Sequence, residues 1–65
     1  MENYISTIFL KYGRKLLKKS EVASELGVSV QTVDRLRKSY DLQSKKVGGQ
    51  IRFDIQELAR YMEAS

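Results

Sequence analysis

The sequence predicts a mainly helical fold that carries one small β-hairpin. Three observations support this prediction: apolar residues recur at spacings of three and four over much of the chain, the period falls to nearly two after Asp41, and Gly48 and Gly49 stand together in that second region. A chain of 65 residues holds one small domain, which we place over residues 1–65.

The composition excludes several kinds of functional site. There is no cysteine and no histidine, which rules out disulfides, zinc sites built on these residues and histidine-based catalysis, so we expect no metal and no cofactor. The longest apolar run, residues 8–10, is far shorter than the roughly 20 residues of a membrane span. Glu2 also stands where a signal peptide would be basic. These features predict a cytoplasmic protein that has no membrane partner.

Positive charge is concentrated in the middle of the chain. Residues 11–52 carry eleven basic and four acidic side chains, whereas residues 1–10 and 53–65 are both net acidic. A concentrated positive field on so small a domain favours a polyanionic partner, of which nucleic acid is the first candidate.

The first helix is predicted over residues 1–13. Its buried stripe is expected to hold the apolar residues at spacings of three and four, namely Ile5, Ile8, Phe9 and Tyr12. Gly13 supplies the stop, and Leu10 falls on the opposite, exposed side. Leu16 and Leu17, in the basic connector that follows, are expected to fill the core.

Two further helices follow the connector. Ser20 is expected to cap the first of them, which buries Val22, Ala23 and Leu26 and ends at Gly27. Val28 is expected to enter the core, and Ser29 caps the next helix. The predicted core face of that helix consists of Val30, Val33, Leu36 and Tyr40.

The remaining residues predict a ribbon and a closing helix. Residues 43–53 form a two-stranded wing around Gly48 and Gly49, since a two-residue hairpin turn requires positive φ. The closing helix, residues 54–63, begins at Asp54, and Phe53 is expected to contact Leu58. Its predicted buried stripe consists of Ile55, Leu58, Ala59 and Met62.

Residues 20–38 follow the pattern of a helix-turn-helix, in which the second of two short helices lies in the major groove of DNA. Ala23 is small where the helices cross, Gly27 makes the turn four residues later, and Val33 locks the second helix six residues after that. This order of elements predicts a DNA-binding unit.

The stretches SEVASELGVSVQTV and VGGQIRF resemble the excisionase-like and MerR-like winged helix-turn-helix family, over about residues 16–62. The resemblance implies a helix-turn-helix, a wing and a closing helix, with the N-terminal helix as an addition. It also implies a function in DNA recombination beside an integrase, or in transcription regulation. MerR-like activators dimerise through a long coiled coil after the closing helix. This chain stops at Ser65, so the excisionase-like branch is the nearer match.

The outward face of the predicted helix 29–38 supplies candidates for reading DNA, namely Ser29, Gln31, Thr32, Arg35 and Lys38. Glutamine pairs with adenine and arginine with guanine, whereas Lys38 is expected to meet a phosphate and Thr32 a thymine methyl group. Asp34 either orients Arg37 and Lys38 or accepts a hydrogen bond from a cytosine amine. Arg37 lies near the buried side of this helix, so its aliphatic stem is expected to pack against the protein. It is therefore a weaker candidate for DNA contact than Arg35.

A second set of candidates is expected to contact the DNA backbone. In the wing, these residues are Lys45, Lys46, Gln50 and Arg52, which enter the minor groove or follow the phosphates. Lys18, Lys19 and Ser20 precede or open a helix whose N–H groups can hold a phosphate, although capping alone also explains Ser20.

Two other functions compete with DNA binding. A protein-interaction module would dock an acidic protein on the basic face or on the first helix. A Ser-Lys hydrolase is disfavoured, because no glycine-rich oxyanion loop accompanies the serines and so small a core leaves little room for a pocket. Under the DNA-binding hypothesis, one module reads only a few base pairs, which predicts cooperative or tandem binding by several copies.

Overall fold

The computed structural model describes residues 4–64, and it confirms a mainly helical fold with a small antiparallel sheet. In chain order the elements are α1 (Tyr4–Tyr12), β1 (Leu16–Leu17), α2 (Lys19–Leu26), α3 (Val30–Lys38), β2 (Lys45–Val47), β3 (Gln50–Asp54) and α4 (Ile55–Ala64). No helix within residues 4–64 combines the length and apolar character needed to cross a membrane.

Helix α1 packs against α4 through Ile8, which is almost completely buried. The helix ends where predicted, because Gly13 takes a φ of 71° and its N–H donates to the Phe9 carbonyl at 2.7 Å. The predicted first turn, residues 1–3, lies outside the described residues. The prediction that Phe9 is buried is wrong, since its side chain is 42% exposed. Phe9 lies about 100° around the helix from Ile8, which turns it away from α4.

The sheet has three strands, so the predicted two-stranded ribbon was incomplete. Leu16 and Leu17 form β1, which pairs antiparallel with β3 in the register Leu17↔Phe53, and β2 pairs with the other edge of β3. Both Leu17 and Phe53 are fully buried. A two-residue strand is too short to show an alternating pattern, which is why the sequence revealed only that these leucines enter the core.

Helix α2 begins at Lys19, one residue earlier than predicted, and Ser20 is not its N-cap. Lys18 occupies the cap position, and its backbone N–H donates to the Glu21 carboxylate at 2.8 Å. An acidic residue at the third helical position therefore satisfies the amide at the helix start, and Ser20 lies exposed in the first turn.

The turn between α2 and α3 forms as predicted. Gly27 has a φ of 70°, and the next amide, that of Val28, returns to the Ala23 carbonyl at 3.0 Å. Ser29 then caps α3 by accepting from the Thr32 N–H at 3.1 Å. Val33 is fully buried on the inner face of α3, so the two helices meet as a helix-turn-helix requires.

Four apolar residues predicted to enter the core are exposed instead, namely Val28, Val30, Tyr40 and Met62. The case of Tyr40 has a clear cause, because α3 ends at Lys38 and Tyr40 takes a φ of 64° in the reversal that follows. The Leu42 N–H then returns to the Leu36 carbonyl at 3.2 Å. Leu42 is fully buried and takes the core position predicted for Tyr40.

The closing helix begins one residue later than predicted, because Asp54 is the last residue of β3. Its carboxylate accepts from the Gln56 N–H at 2.8 Å, so Asp54 supplies the predicted capping contact. The buried cluster joins the four helices to β1 and β3, and it consists of Ile8, Leu17, Val22, Ala23, Val33, Leu42, Phe53, Ile55 and Leu58.

Candidate nucleic-acid interface

Helix α3 has one buried and one polar face, and the polar face carries most of the predicted reading residues. Gln31, Arg35 and Lys38 are exposed, whereas Val33 is fully buried on the opposite side. Thr32 is half-buried, and its hydroxyl lies 3.0 Å from that of the capping Ser29. The helix therefore presents an amide, a guanidinium and an ammonium group from a firmly anchored backbone.

Asp34 lies at the centre of a cluster of basic side chains on α3. Its carboxylate accepts from Arg37 at 2.8 and 3.2 Å, contacts Lys19 of α2 at 3.2 Å and lies 3.5 Å from Lys38. The Arg37 hydrogen bonds, followed by that of Lys19, lower the pKa of Asp34 to about 2. This confirms the prediction that Asp34 orients Arg37 and Lys38, and the carboxylate also ties the start of α2 to α3.

The wing is a tight hairpin whose register fixes the face on which each side chain lies. Gly48 and Gly49 have φ of 59° and 79°, as a primed two-residue turn requires. Lys45 pairs with Arg52 and Lys46 with Ile51, so these pairs lie on opposite faces of the ribbon. Lys46 therefore shares the face of Ile51, which is the face that continues into the core at Phe53.

One groove brings together five of the predicted backbone-contact residues. It runs between the start of α2, the start of α3 and strand β3. Its lining residues are Lys18, Lys19, Ser20, Val30, Gln50, Ile51 and Arg52. The groove joins the helix-turn-helix to the wing, and it receives basic residues from the start of α2 and from β3.

Lys45 lies apart from this groove. Its ammonium group is 3.6 Å from the Asp54 carboxylate, and it lines a separate depression with Gln43 and Ser44. The structure thus separates Lys45 from the other wing residues that the sequence grouped with it.

Some of the basic residues predicted to contact DNA already form an ion pair with a carboxylate of the protein, and others do not. Lys19 and Lys38 contact Asp34, and Lys45 contacts Asp54. Within residues 4–64, those that form no ion pair are Lys18, Arg35, Lys46 and Arg52. Arg52 instead donates to the Gln50 side chain and to the Ile51 carbonyl.

Sequence reasoning missed two features of this surface. The Lys19–Asp34 contact joins residues 15 positions apart, and no local spacing could have indicated it. Val30 was predicted to enter the core, yet it is 44% exposed and lines the groove. Its place in the first turn of α3, beside the polar Gln31, was the available signal.

Comparison with known families agrees with this geometry. A family model described as a helix-turn-helix domain matches residues 16–65, a range that includes β1, both helices of the turn, the wing and α4. Comparisons with curated proteins and with solved structures gave no match. The family is typically non-enzymatic. The match takes in most of the chain, so this protein belongs to the helix-turn-helix domain family and is a DNA-binding protein of that type.

Proposed function

We propose that the protein binds double-stranded DNA in a sequence-specific manner, as excisionase-type proteins do, with α3 in the major groove and the wing beside it. The observation that carries this proposal is the exposed row of Gln31, Arg35 and Lys38 on a helix that Val33 anchors from behind. A major groove admits one α-helix, and side chains on its outer face reach the base edges.

The three side chains have different chemistry and therefore different proposed partners. The Gln31 amide can donate to and accept from adenine, and the Arg35 guanidinium can donate two hydrogen bonds to guanine. Lys38 offers a point charge, which suits a phosphate. Thr32 can place its methyl group against a thymine, and Ser29 can donate to a phosphate from the start of the helix.

The groove and the wing supply the proposed contacts to the DNA backbone. Lys18, Lys19 and Ser20 line the groove from the start of α2, and Gln50 and Arg52 line it from β3. Lys46 extends this basic surface towards the wing tip. Phosphate contacts of this kind set register and orientation without reading sequence.

The biological function that we propose is that of a recombination directionality factor or a small transcriptional regulator of a mobile element. The resemblance of residues 16–62 to excisionase-like proteins supports it. One module of this size reads only a few base pairs, so we expect several copies on adjacent sites, or an integrase beside them, to supply the remaining specificity.

The first experiment is selection of preferred duplexes from a random pool by the full chain, followed by fluorescence anisotropy at about 150 mM salt. We expect the selected duplex to bind more tightly than the same duplex with its bases scrambled. Binding to no duplex tighter than micromolar would contradict the proposal and favour the docking of an acidic protein on the same basic face.

A second experiment distinguishes the two biological functions. A footprint with genome coordinates is expected to lie beside an integrase gene and its attachment site if the protein directs recombination. A footprint at a promoter indicates regulation instead. Analytical ultracentrifugation on a duplex with several sites then tests tandem binding, which strictly independent monomers would contradict.

A further inference from the structure

Val30 is an exposed apolar residue on a surface that also carries several basic side chains. It is the first residue of α3, and 44% of its side chain is accessible. It lines the same groove as Lys18, Lys19, Gln50 and Arg52. A valine cannot form side-chain hydrogen bonds, so it can recognise a ligand there only by shape and apolar contact.

The helix geometry places Val30 at the edge of the proposed reading face. Asp34 follows four residues later and lies on the same edge, whereas Gln31 is the next residue and points into the centre of the exposed face. N-terminal residues of a recognition helix are those that contact base edges. Val30 therefore stands where a base can be reached, with the half-buried Ile51 of the wing in the same groove.

We propose that Val30 reads DNA by packing against the 5-methyl group of a thymine. This inference rests on the proposed DNA binding and adds to it a thymine preference separate from that proposed for Thr32. The thymine methyl is the apolar group that the major-groove edges of the bases present, and aliphatic side chains recognise it by contact. The basic residues around Val30 hold the phosphates, which brings the bases of that strand towards the helix start.

The test uses deoxyuridine, which pairs as thymine does and lacks only the methyl group. Each thymine of the selected duplex is replaced in turn, and the affinity of the full chain for each duplex is measured. At the thymine that Val30 contacts, the replacement is expected to weaken wild-type binding about fourfold, the value for removal of one buried methyl-sized group. At that position Val30→Ala is expected to bind the thymine and deoxyuridine duplexes equally, whereas a response at a thymine contacted by Thr32 is expected to remain.

Val28→Ala is the matched control. Val28 is 39% exposed, similar to Val30, but it lies in the turn and does not line the groove. This variant is expected to keep the full response to deoxyuridine. Thermal melting of both variants confirms that they fold, as expected for truncation of exposed side chains.

Three results would overturn the proposal. In the first, no single deoxyuridine weakens wild-type binding. In the second, Val30→Ala responds to deoxyuridine as the wild type does, and in the third, Val28→Ala loses the response as well. Failure of DNA binding itself is recognised separately, because selection then yields no preferred duplex.

Discussion

Replacing Asp34 by asparagine should increase the affinity of the protein for DNA of any sequence. The carboxylate holds Lys19 at 3.2 Å, Arg37 at 2.8 Å and Lys38 at 3.5 Å, all on or beside the proposed interface. With a pKa of about 2, it is fully ionised at neutral pH and repels any phosphate that approaches these side chains. Asp34→Asn removes that repulsion and releases the basic groups.

The expected magnitude follows from the number of phosphate contacts. Five basic residues are proposed to meet phosphates, namely Lys18, Lys19, Lys38, Lys46 and Arg52. Five such contacts give a slope of log affinity against log salt of about −5. Removing one negative charge among them should steepen the slope by about one contact, or roughly 0.9. Lowering salt from about 200 to about 50 mM then strengthens the variant's binding roughly threefold more than that of the wild type.

The assay is fluorescence anisotropy on a random-sequence duplex across this salt range, repeated on the selected duplex. Asp41→Asn is the matched control, because it changes the net charge by the same amount. Asp41 accepts a hydrogen bond from the Ser39 hydroxyl and forms no ion pair with another residue in the part of the chain that the structure describes. Asp34→Glu keeps the charge and is expected to keep the wild-type slope.

Two outcomes would refute this reasoning. If Asp34→Asn and Asp41→Asn have the same slope, the effect comes from net charge and not from the position of the carboxylate. If Asp34→Asn weakens binding to the random duplex, Asp34 acts mainly by positioning its basic partners and not by competing with phosphates for them. The expected result is tighter binding to both duplexes with an unchanged ratio of specific to nonspecific affinity, because the release acts on every sequence.

Three further predictions follow from the structure. Arg35→Ala should cost about 1–3 kcal/mol of binding free energy and relax the preference at one base pair, whereas Lys46→Ala should weaken binding to all duplexes alike. If the two variants behave identically in selection experiments, the assignment of Arg35 to a base and of Lys46 to a phosphate is wrong. Gly49→Ala should lower the free energy of unfolding by roughly 1–2 kcal/mol in chemical denaturation, because Gly49 has a φ of 79° and a residue with a Cβ atom is strained there. Unchanged stability would contradict this prediction. Hydrogen bonds from Arg14 lower the pKa of Glu21 from 4.5 to about 2. The stability that this shift supplies is complete above 4.5 and declines as the pH falls towards 2, so Glu21→Gln should flatten the acid limb of a pH-stability curve.

Features that depend on neighbouring residues could be predicted from the sequence. The Gly27 turn needs a left-handed residue, the wing needs two, and Ser29 reaches an amide only three residues away. Each is a short-range requirement that particular residue types satisfy. The order of the helices and the wing follows from these local elements, which is why the fold class could be predicted.

Features that depend on distant contacts could not be predicted. The strand at Leu16 exists because β3 pairs with it, and its partner Asp54 lies far along the chain. Leu42 rather than Tyr40 enters the core because the chain reverses direction after Lys38. The helical spacing of apolar residues does not indicate this reversal. Helical spacing reports which residues share a face, but it does not report where the helix ends.

The interior and the proposed interface are linked through the same helices. Val33 fixes α3 from within, and Asp34, the next residue, joins α3 to the start of α2 through Lys19. At its other end, α2 is held by Glu25, which accepts from Lys11 and from the Tyr12 hydroxyl of α1, each at 2.6 Å. Helix α2 is thus fixed at both ends by ion pairs with neighbouring helices. Lys19 at its start contacts Asp34 of α3, and Glu25 near its end contacts Lys11 of α1. Because α2 and α3 form adjoining walls of the groove, their relative position sets the spacing between phosphate-contacting and base-reading groups.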